Sequence, residues 1–242
     1  MAPTLLFLPG TLCDERLWAA PYQALSTRWA CINADYRFEE SIAAMAQAAL
    51  AKATGMVIPI GLSMGGMVAL EIWRQAPERV AALALFDTDP GADTPSRLMK
   101  RNTQMLAATQ GHFRAMVETQ LAPSYFSGTL TASPAILRNV VEMACEQGVA
   151  AFAAQITALA TRPDNWPLLQ HINVPTLIAC GADDQICPAP SHQKMASLIA
   201  GATFVLIDAA GHLPPMQRPA ATTRALKTWL SMMRSPRTSP QQ

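Results

Sequence analysis

The chain has 242 residues, enough to bury a sizeable core as one α/β domain, so its length requires no second domain. Hydrophobic residues make up 50% and charged residues only 14%, below the roughly 25% charge of an average soluble domain, and much of the deficit lies in alanine-rich helical segments. A net charge of +1 without any basic block excludes an electrostatic footprint for nucleic acid or for an anionic membrane surface.

Met1 to Pro9 has no basic residue and too short an apolar run for a signal peptide, and no run approaches the roughly 18 apolar residues of a spanning helix. The five cysteines, Cys13, Cys31, Cys145, Cys180 and Cys187, are odd in number with no pair at ligand spacing, which predicts a reducing, cytoplasmic setting. Cys31 and Cys180 lie in apolar runs and are expected as buried thiols. Leu5 to Leu8 reads as a first strand that stops at Pro9-Gly10. Gly10 would let the backbone turn beside a ligand, so the N–H of Thr11, or failing that of Leu12, is a candidate oxyanion donor. A short helix from Leu17 to Leu25, a weak strand from Trp29 to Asn33 and a helix from the cap Ser41 to Ala51 follow.

Met56-Val57-Ile58-Pro59-Ile60 is short, apolar and partly β-branched, as a buried central strand should be. It runs into Gly61-Leu62-Ser63-Met64-Gly65, after which Met67, Leu70, Ile72 and Trp73 carry a helix to Gln75. A serine at such a strand-to-helix turn is held on strained backbone, and Gly61 and Gly65 supply the small neighbours a tight bend needs. The helix N-terminus behind it would stabilise an oxyanion, with the N–H of Met64 as one donor. Val80 to Phe86 is a fourth strand. Strands alternating with helical patterns predict a doubly wound, mostly parallel sheet.

From about Gly91 to Trp166 the pattern is helical throughout, an insertion of about four helices. Thr94-Pro95 and Ser133-Pro134 are cap and first-turn pairs, and Gly148 separates the last two helices. Leu98, Asn102, Met105 and Leu106 are expected to share one side of the first helix. An insertion after Phe86 emerges beyond the carboxyl ends of the strands, where open sheets bind ligands, and so reads as a cap (91–166) on a core of 1–90 and 167–234. For Met105, Phe113, Met116, Phe126, Met143 and Phe152 packing is the better reading than cavity lining. Lys100-Arg101 would serve a carboxylate or phosphate if it faced inward, but a solvated helix face is the better reading, so no cationic cluster is expected in the cap. The sheet resumes with Val174 to Cys180 and, after a helix containing His192, ends with Thr203 to Ile207. A helix from Thr222 to Met233 precedes a tail from Ser235 that is expected to be disordered, and no internal repeat is present.

A serine hydroxyl needs a base, and the base needs an orienting group. Of His112, His171, His192 and His212, only His212 follows a glycine in a loop beyond the last strand, at the sheet edge of Ser63; His192 is expected to be partly exposed on its helix. Asp183 and Asp184 both leave a strand end before the histidine, and composition does not separate them. No clustered histidine and carboxylate spacing suggests a metal, and no cofactor is implied.

The order of Ser63, acid and His212, each after a parallel strand, resembles the α/β-hydrolase superfamily over nearly the whole chain. Relatives place glycine, aspartate and proline after the penultimate strand in the spacing of Gly181, Asp184 and Pro188, and the resemblance therefore favours Asp184. Gly211-His212-Leu213-Pro214 matches the family's histidine loop. Two departures are Pro9-Gly10, where many relatives have histidine-glycine, and Gln217, where many have glutamate. The resemblance implies an α/β-hydrolase fold of about six strands with a helical cap. It implies a serine carboxylesterase that acts on a small or medium acyl substrate with water, through Ser63, Asp184 and His212. Other members are thioesterases, lyases of menaquinone-type synthesis that use the same triad, and noncatalytic binding proteins.

Overall fold

A computed structural model describes residues 2–126 and 133–234; the tail from Ser235 lies outside the described residues. Six strands form one parallel sheet: β1 (Thr4–Leu8), β2 (Cys31–Asn33), β3 (Val57–Leu62), β4 (Leu83–Phe86), β5 (Thr176–Gly181) and β6 (Thr203–Ile207), in the order β2-β1-β3-β4-β5-β6. Every pairing is parallel, with Leu8 beside Gly61, Leu62 beside Phe86 and Gly181 beside Ile207. Pro59 has no N–H to give, and the β3–β4 ladder starts one residue beyond it, at Ile60.

The period of two along each strand builds two cores. Leu5 and Phe7 of β1 face one side, with Leu17 and Trp18 below α1 (Ala19–Leu25) and Leu226 and Trp229 of the C-terminal helix. Leu6 and Leu8 face the other, against α2 (Ile42–Leu50) and α3 (Met64–Gln75) through Met45, Val68 and Leu70. The Ser41 hydroxyl accepts the N–H of Ala44 to open α2.

Between β4 and β5 the described residues contain no strand. Thr94 caps α4 (Pro95–Ala107), and π-helical segments at Ala108–His112 and Val117–Leu121 surround α5 (Phe113–Met116) and precede α6 (Ala122–Ser124). Ser133 caps α7 (Pro134–Ala160), which breaks at Gly148, where φ is 79° and ψ 177°. After β5 come α8 (Ala189–Leu198), the turn of helix α9 (Pro214–Gln217) and α10 (Pro219–Arg234). Among the described residues no helix is long and apolar enough to cross a membrane.

Phe113, Met116, Phe126, Met143 and Phe152 all join the core on the β1 face containing Phe7, so packing accounts for the aromatic and methionine content of this segment. Two expectations fail here. Cys31 is half-buried, because β2 is a short edge strand whose residues are all only partly covered. On α4, Asn102 is exposed and Leu106 is 58% exposed, so the side carrying Leu98, Asn102, Met105 and Leu106 is not the covered one; Gln104 is the buried residue of that helix.

Gly148 adopts backbone that only glycine visits readily, and nothing lies within 4 Å of a Cβ built there, so substitution acts through the backbone alone. Gly148→Ala is expected to lower unfolding free energy by about 2 kcal/mol in urea titrations, with little change in the slope.

Candidate active site

Ser63 stands between β3 and α3 with φ 57° and ψ −117°, a left-handed conformation that a non-glycine residue holds only under constraint. The constraint is visible. Its N–H donates to Phe86 O (2.9 Å), and the Thr88 hydroxyl donates to Ser63 O (2.7 Å), so the end of β4 grips the turn from both sides. A Cβ on Gly61 would lie 2.1 Å from Gly65 O, and one on Gly65 would lie 2.1 Å from Leu8 O. Those two positions admit glycine alone. At Gly10 an added Cβ would meet Leu62 at 3.4 Å and Ser63 Cβ at 3.5 Å, ordinary contacts, so steric need does not explain that glycine.

Met64 opens α3, and its N–H has no acceptor within the helix. The N–H of Leu12 is committed to Gln155 Oε1 at 2.8 Å, whereas that of Thr11 has no acceptor among the described residues. Thr11 is thus the residue of the first loop left able to donate. Tyr36 and Tyr125 fix this loop by donating their hydroxyls to Pro9 O (2.7 Å) and Thr11 O (3.3 Å).

His212 is 2% exposed, and its Nδ1 lies 2.8 Å from Asp184 Oδ2. The other carboxylate oxygen, Oδ1, accepts the N–H groups of Ile186 (2.8 Å) and Cys187 (3.1 Å). Burial opposes the Asp184 charge, but His212 and these donors together hold its carboxyl below the ordinary carboxylate value. An ionised Asp184 assigns the ring proton to Nδ1 and leaves Nε2 as an acceptor. Asp183 makes no bond to His212; its N–H donates to Ala210 O. The loop is clamped by Gln217, whose Oε1 accepts the N–H of Gly211 (3.0 Å) and of Leu213 (3.1 Å), on either side of the histidine. Tyr125 stacks on the imidazole with centroids 5.5 Å apart, and its backbone carbonyl accepts the backbone N–H of His212 (3.0 Å). Ser63 Oγ makes no hydrogen bond among the described residues, although Ser63 and His212 line one cavity. Such contacts tighten when substrate arrives.

That cavity, of about 340 Å³, is bounded by Thr11, Ser63 and His212 on the strand-end side and by residues of the segment between β4 and β5 on the other. A larger one of about 730 Å³ lies at the opposite, amino-terminal strand ends, away from this chemistry. Of the six methionine and aromatic residues considered above, Phe152 alone lines the smaller cavity.

Arg97, Lys100, Arg101 and Arg162 also line it, which overturns the expectation of no cationic cluster; Lys100 is exposed as expected, whereas Arg101 is half-buried and paired with Asp93. Arg97 pairs with Asp89; Arg101 Nε and Arg162 Nη1 each lie 2.5 Å from the buried Asp93 carboxylate. Against the penalty of burial, those two guanidiniums hold the Asp93 carboxyl below its ordinary value. Arg162 also donates Nε to Gly91 O (2.8 Å) and Nη1 to Leu159 O (3.1 Å), but Nη2 has no acceptor among the described residues. Leaving such a buried charged donor unmade costs about 1–3 kcal/mol.

Several neighbours had no sequence signal. His192 is fully buried rather than partly exposed: its Nε2 accepts the Thr88 N–H (3.0 Å) because that group lies past the end of the β4 ladder, and burial pushes the ring below its ordinary pKa. Asp87 is fully buried beyond β4, with Oδ1 accepting the Gly181 N–H (2.8 Å), and burial together with the Asp184 charge pushes its carboxyl well up. Asp184, Cys187 and His212 bring potential ligand atoms within 4.8 Å of one another. The Asp184 oxygens are already engaged, and burial pushes the Cys187 thiol well up, which disfavours a metal there. The buried Cys13 thiol is likewise pushed up to about 12, chiefly by desolvation.

Because the folded-state pKa of Asp87 is raised, its contribution to stability is full below its unfolded value of about 3.9 and is lost as pH rises. Asp87→Asn mimics the neutral form. The stability of this variant relative to wild type is expected to increase between pH 4 and pH 8, measured as urea midpoints.

The alpha/beta hydrolase family matches residues 5–225. A protein of Yersinia enterocolitica provisionally named carbamate hydrolase RutD is 28% identical over 155 residues, covering 63% of this chain and 55% of that protein. The 3-oxoadipate enol-lactonase 2 of Acinetobacter baylyi is 24% identical over 167 residues, covering 69% and 61%. The chain thus spans less than two thirds of the length of these curated relatives. A thermophilic esterase of Thermogutta terrifontis, solved with malate bound, superposes with a TM-score of 0.87 at 27% identity, covering 97% of this chain and 92% of that one. A family match over almost all the chain, on the parallel sheet and strained serine turn described above, means that the chain belongs to the alpha/beta hydrolase family.

Proposed function

We propose that the protein is a serine hydrolase that cleaves a small carboxylic ester through an acyl-enzyme. The observation that carries this reading is the 2.8 Å contact between His212 Nδ1 and Asp184 Oδ2, in a cavity wall that also holds the strained Ser63. With Nδ1–H donated to Asp184, the imidazole presents Nε2 as a base. It takes the Ser63 proton as Oγ attacks the carbonyl carbon, and gives that proton to the departing alcohol. Asp184 remains ionised and stabilises the imidazolium in between. The tetrahedral oxyanion receives the N–H of Met64, aided by the positive end of α3, and the N–H of Thr11. Water then enters by the same route, with His212 again as base, and releases the acid.

The esterase and lactonase among the similar proteins support an ester rather than an amide substrate. A volume of about 340 Å³ lies at the lower end of small-molecule sites and suits a short acyl group.

Wild type is expected to be labelled stoichiometrically by a fluorophosphonate and to hydrolyse short 4-nitrophenyl esters. Ser63→Ala should lose the label and drop kcat by roughly ten-thousand-fold or more. Labelling without turnover of any ester would redirect the search to thioesters or amides; a folded wild type that shows neither would reject the acyl-enzyme. Asp184→Asn should lower kcat on the order of a thousand-fold or more, because the ring tautomer is lost, whereas Asp87→Asn should change it by no more than about threefold.

A further inference from the structure

Four residues of α4, Arg97, Lys100, Arg101 and Gln104, recur at the i, i+3, i+4, i+7 spacing of one helix face, and all four line the cavity of Ser63. The helix thus presents a basic stripe to the cavity, with Arg97 and Arg101 half-buried and Lys100 exposed. Arg162, just after α7, stands in the same wall with its side chain only 2% exposed.

The local carboxylates do not balance these cations. Asp89 answers Arg97, and the single carboxylate of Asp93 is shared by Arg101 and Arg162. Lys100 makes no ion pair among the described residues, so the wall carries an excess of positive charge. The imbalance has a specific location, since Arg162 keeps Nη2 without an acceptor although its other nitrogens are bonded. Arg162 belongs to the cavity wall, and a buried guanidinium with one nitrogen unpaired adds to the positive field that an anionic ligand group would meet there. Asp93 holds Arg162 and Arg101 in place, so the site is organised before ligand arrives.

Building on the serine-hydrolase reading, we infer that the physiological substrate is an ester that also bears a free carboxylate, docked against Arg162 with Lys100 and Arg101 beside it, while the ester carbonyl lies at Ser63. The carboxylate offsets the excess charge of this wall, to which the unpaired Nη2 of Arg162 contributes. It also sets the register of the substrate, because the anchor stands on the cap side of the cavity and the nucleophile on the strand-end side. A neutral ester of equal length gains neither interaction.

The test uses the full chain and four substrates: mono-4-nitrophenyl adipate, its methyl ester, 4-nitrophenyl hexanoate and a 4-nitrophenyl ester ending in a phosphonate. The first is expected to exceed both neutral esters by about 30-fold in kcat/KM, chiefly through KM. That preference should fall about tenfold or more in Lys100→Gln and in Arg162→Gln. A ratio of substrates within each variant cancels any loss of folded enzyme, and Lys100 is exposed, so the test survives if Arg162→Gln folds poorly. Fluorophosphonate labelling is run in parallel. Labelled enzyme that prefers the neutral esters, or that keeps the same preference in both variants, overturns the carboxylate site and leaves the serine chemistry standing. Faster turnover of the phosphonate ester replaces the carboxylate as occupant and likewise overturns the inference. If labelling and turnover both fail, adipate is titrated against thermal stability. Stabilisation that is lost in Lys100→Gln then supports the anion site and rejects only the hydrolytic reading, and no stabilisation rejects both.

Discussion

The turn at Ser63 is the constraint on which the rest of the structure depends. A non-glycine residue at φ 57° costs on the order of 1–3 kcal/mol and persists only where its surroundings over-determine it. Here they do: the end of β3 at Gly61 and the end of β1 beside Gly65 approach the first turn of α3 so closely that no side chain fits between them. β4 completes the grip through Phe86 and Thr88. The hydrophobic faces of the sheet hold β1, β3 and β4 in register, and that register forces the serine out into the cavity. In the proposed reaction, folding free energy would thus be stored as a preset geometry of Ser63.

A second layer of order comes from buried polar groups beyond the strand ends. Asp184, Asp87 and His192 are nearly or wholly inaccessible to solvent, and their environments drive them apart in charge. Asp184 stays ionised because His212 and two backbone N–H groups serve its oxygens. Asp87, with one donor and a neighbouring negative charge, is pushed towards the neutral form, and His192 is kept neutral to accept the Thr88 N–H. One carboxylate charge is therefore concentrated behind His212, with Gln217 and Tyr125 holding the imidazole loop in place. Two neighbouring buried acids with different environments can in this way perform different tasks.

The segment between β4 and β5 closes these elements into the cavity at Ser63. Its apolar residues join the core on the β1 face, while Arg97, Lys100, Arg101 and Gln104 of α4 line the cavity of Ser63. Asp93 ties α4 to the residue that follows α7 through Arg101 and Arg162, so the two longer helices of the segment are cross-linked by charge at the chamber. The covalent chemistry would come from the strand ends, and the selectivity from this basic wall.

The sequence by itself determined the alternation of strands and helices, the serine turn between Gly61 and Gly65, the caps at Ser41, Thr94 and Ser133, and the break at Gly148. Each of these is a local property, carried by a period of two or 3.6, by a cap side chain, or by a backbone conformation open to glycine. Composition left Asp183 and Asp184 equal, because adjacent residues at a strand end differ only in which way the turn points them. Only the tertiary structure directed Asp184 to His212, buried His192 and Asp87, and assigned the Leu12 N–H to Gln155. It also corrected the reading of α4 at Arg101, which is half-buried against Asp93, while Lys100 stays exposed. Helical spacing groups Arg97, Lys100, Arg101 and Gln104 on one face, but it does not say what that face meets, and long cationic side chains read as solvated until a carboxylate from elsewhere in the chain is placed beside them. That carboxylate, Asp93, meets Arg162 across 69 residues of sequence, a separation no local pattern can bridge.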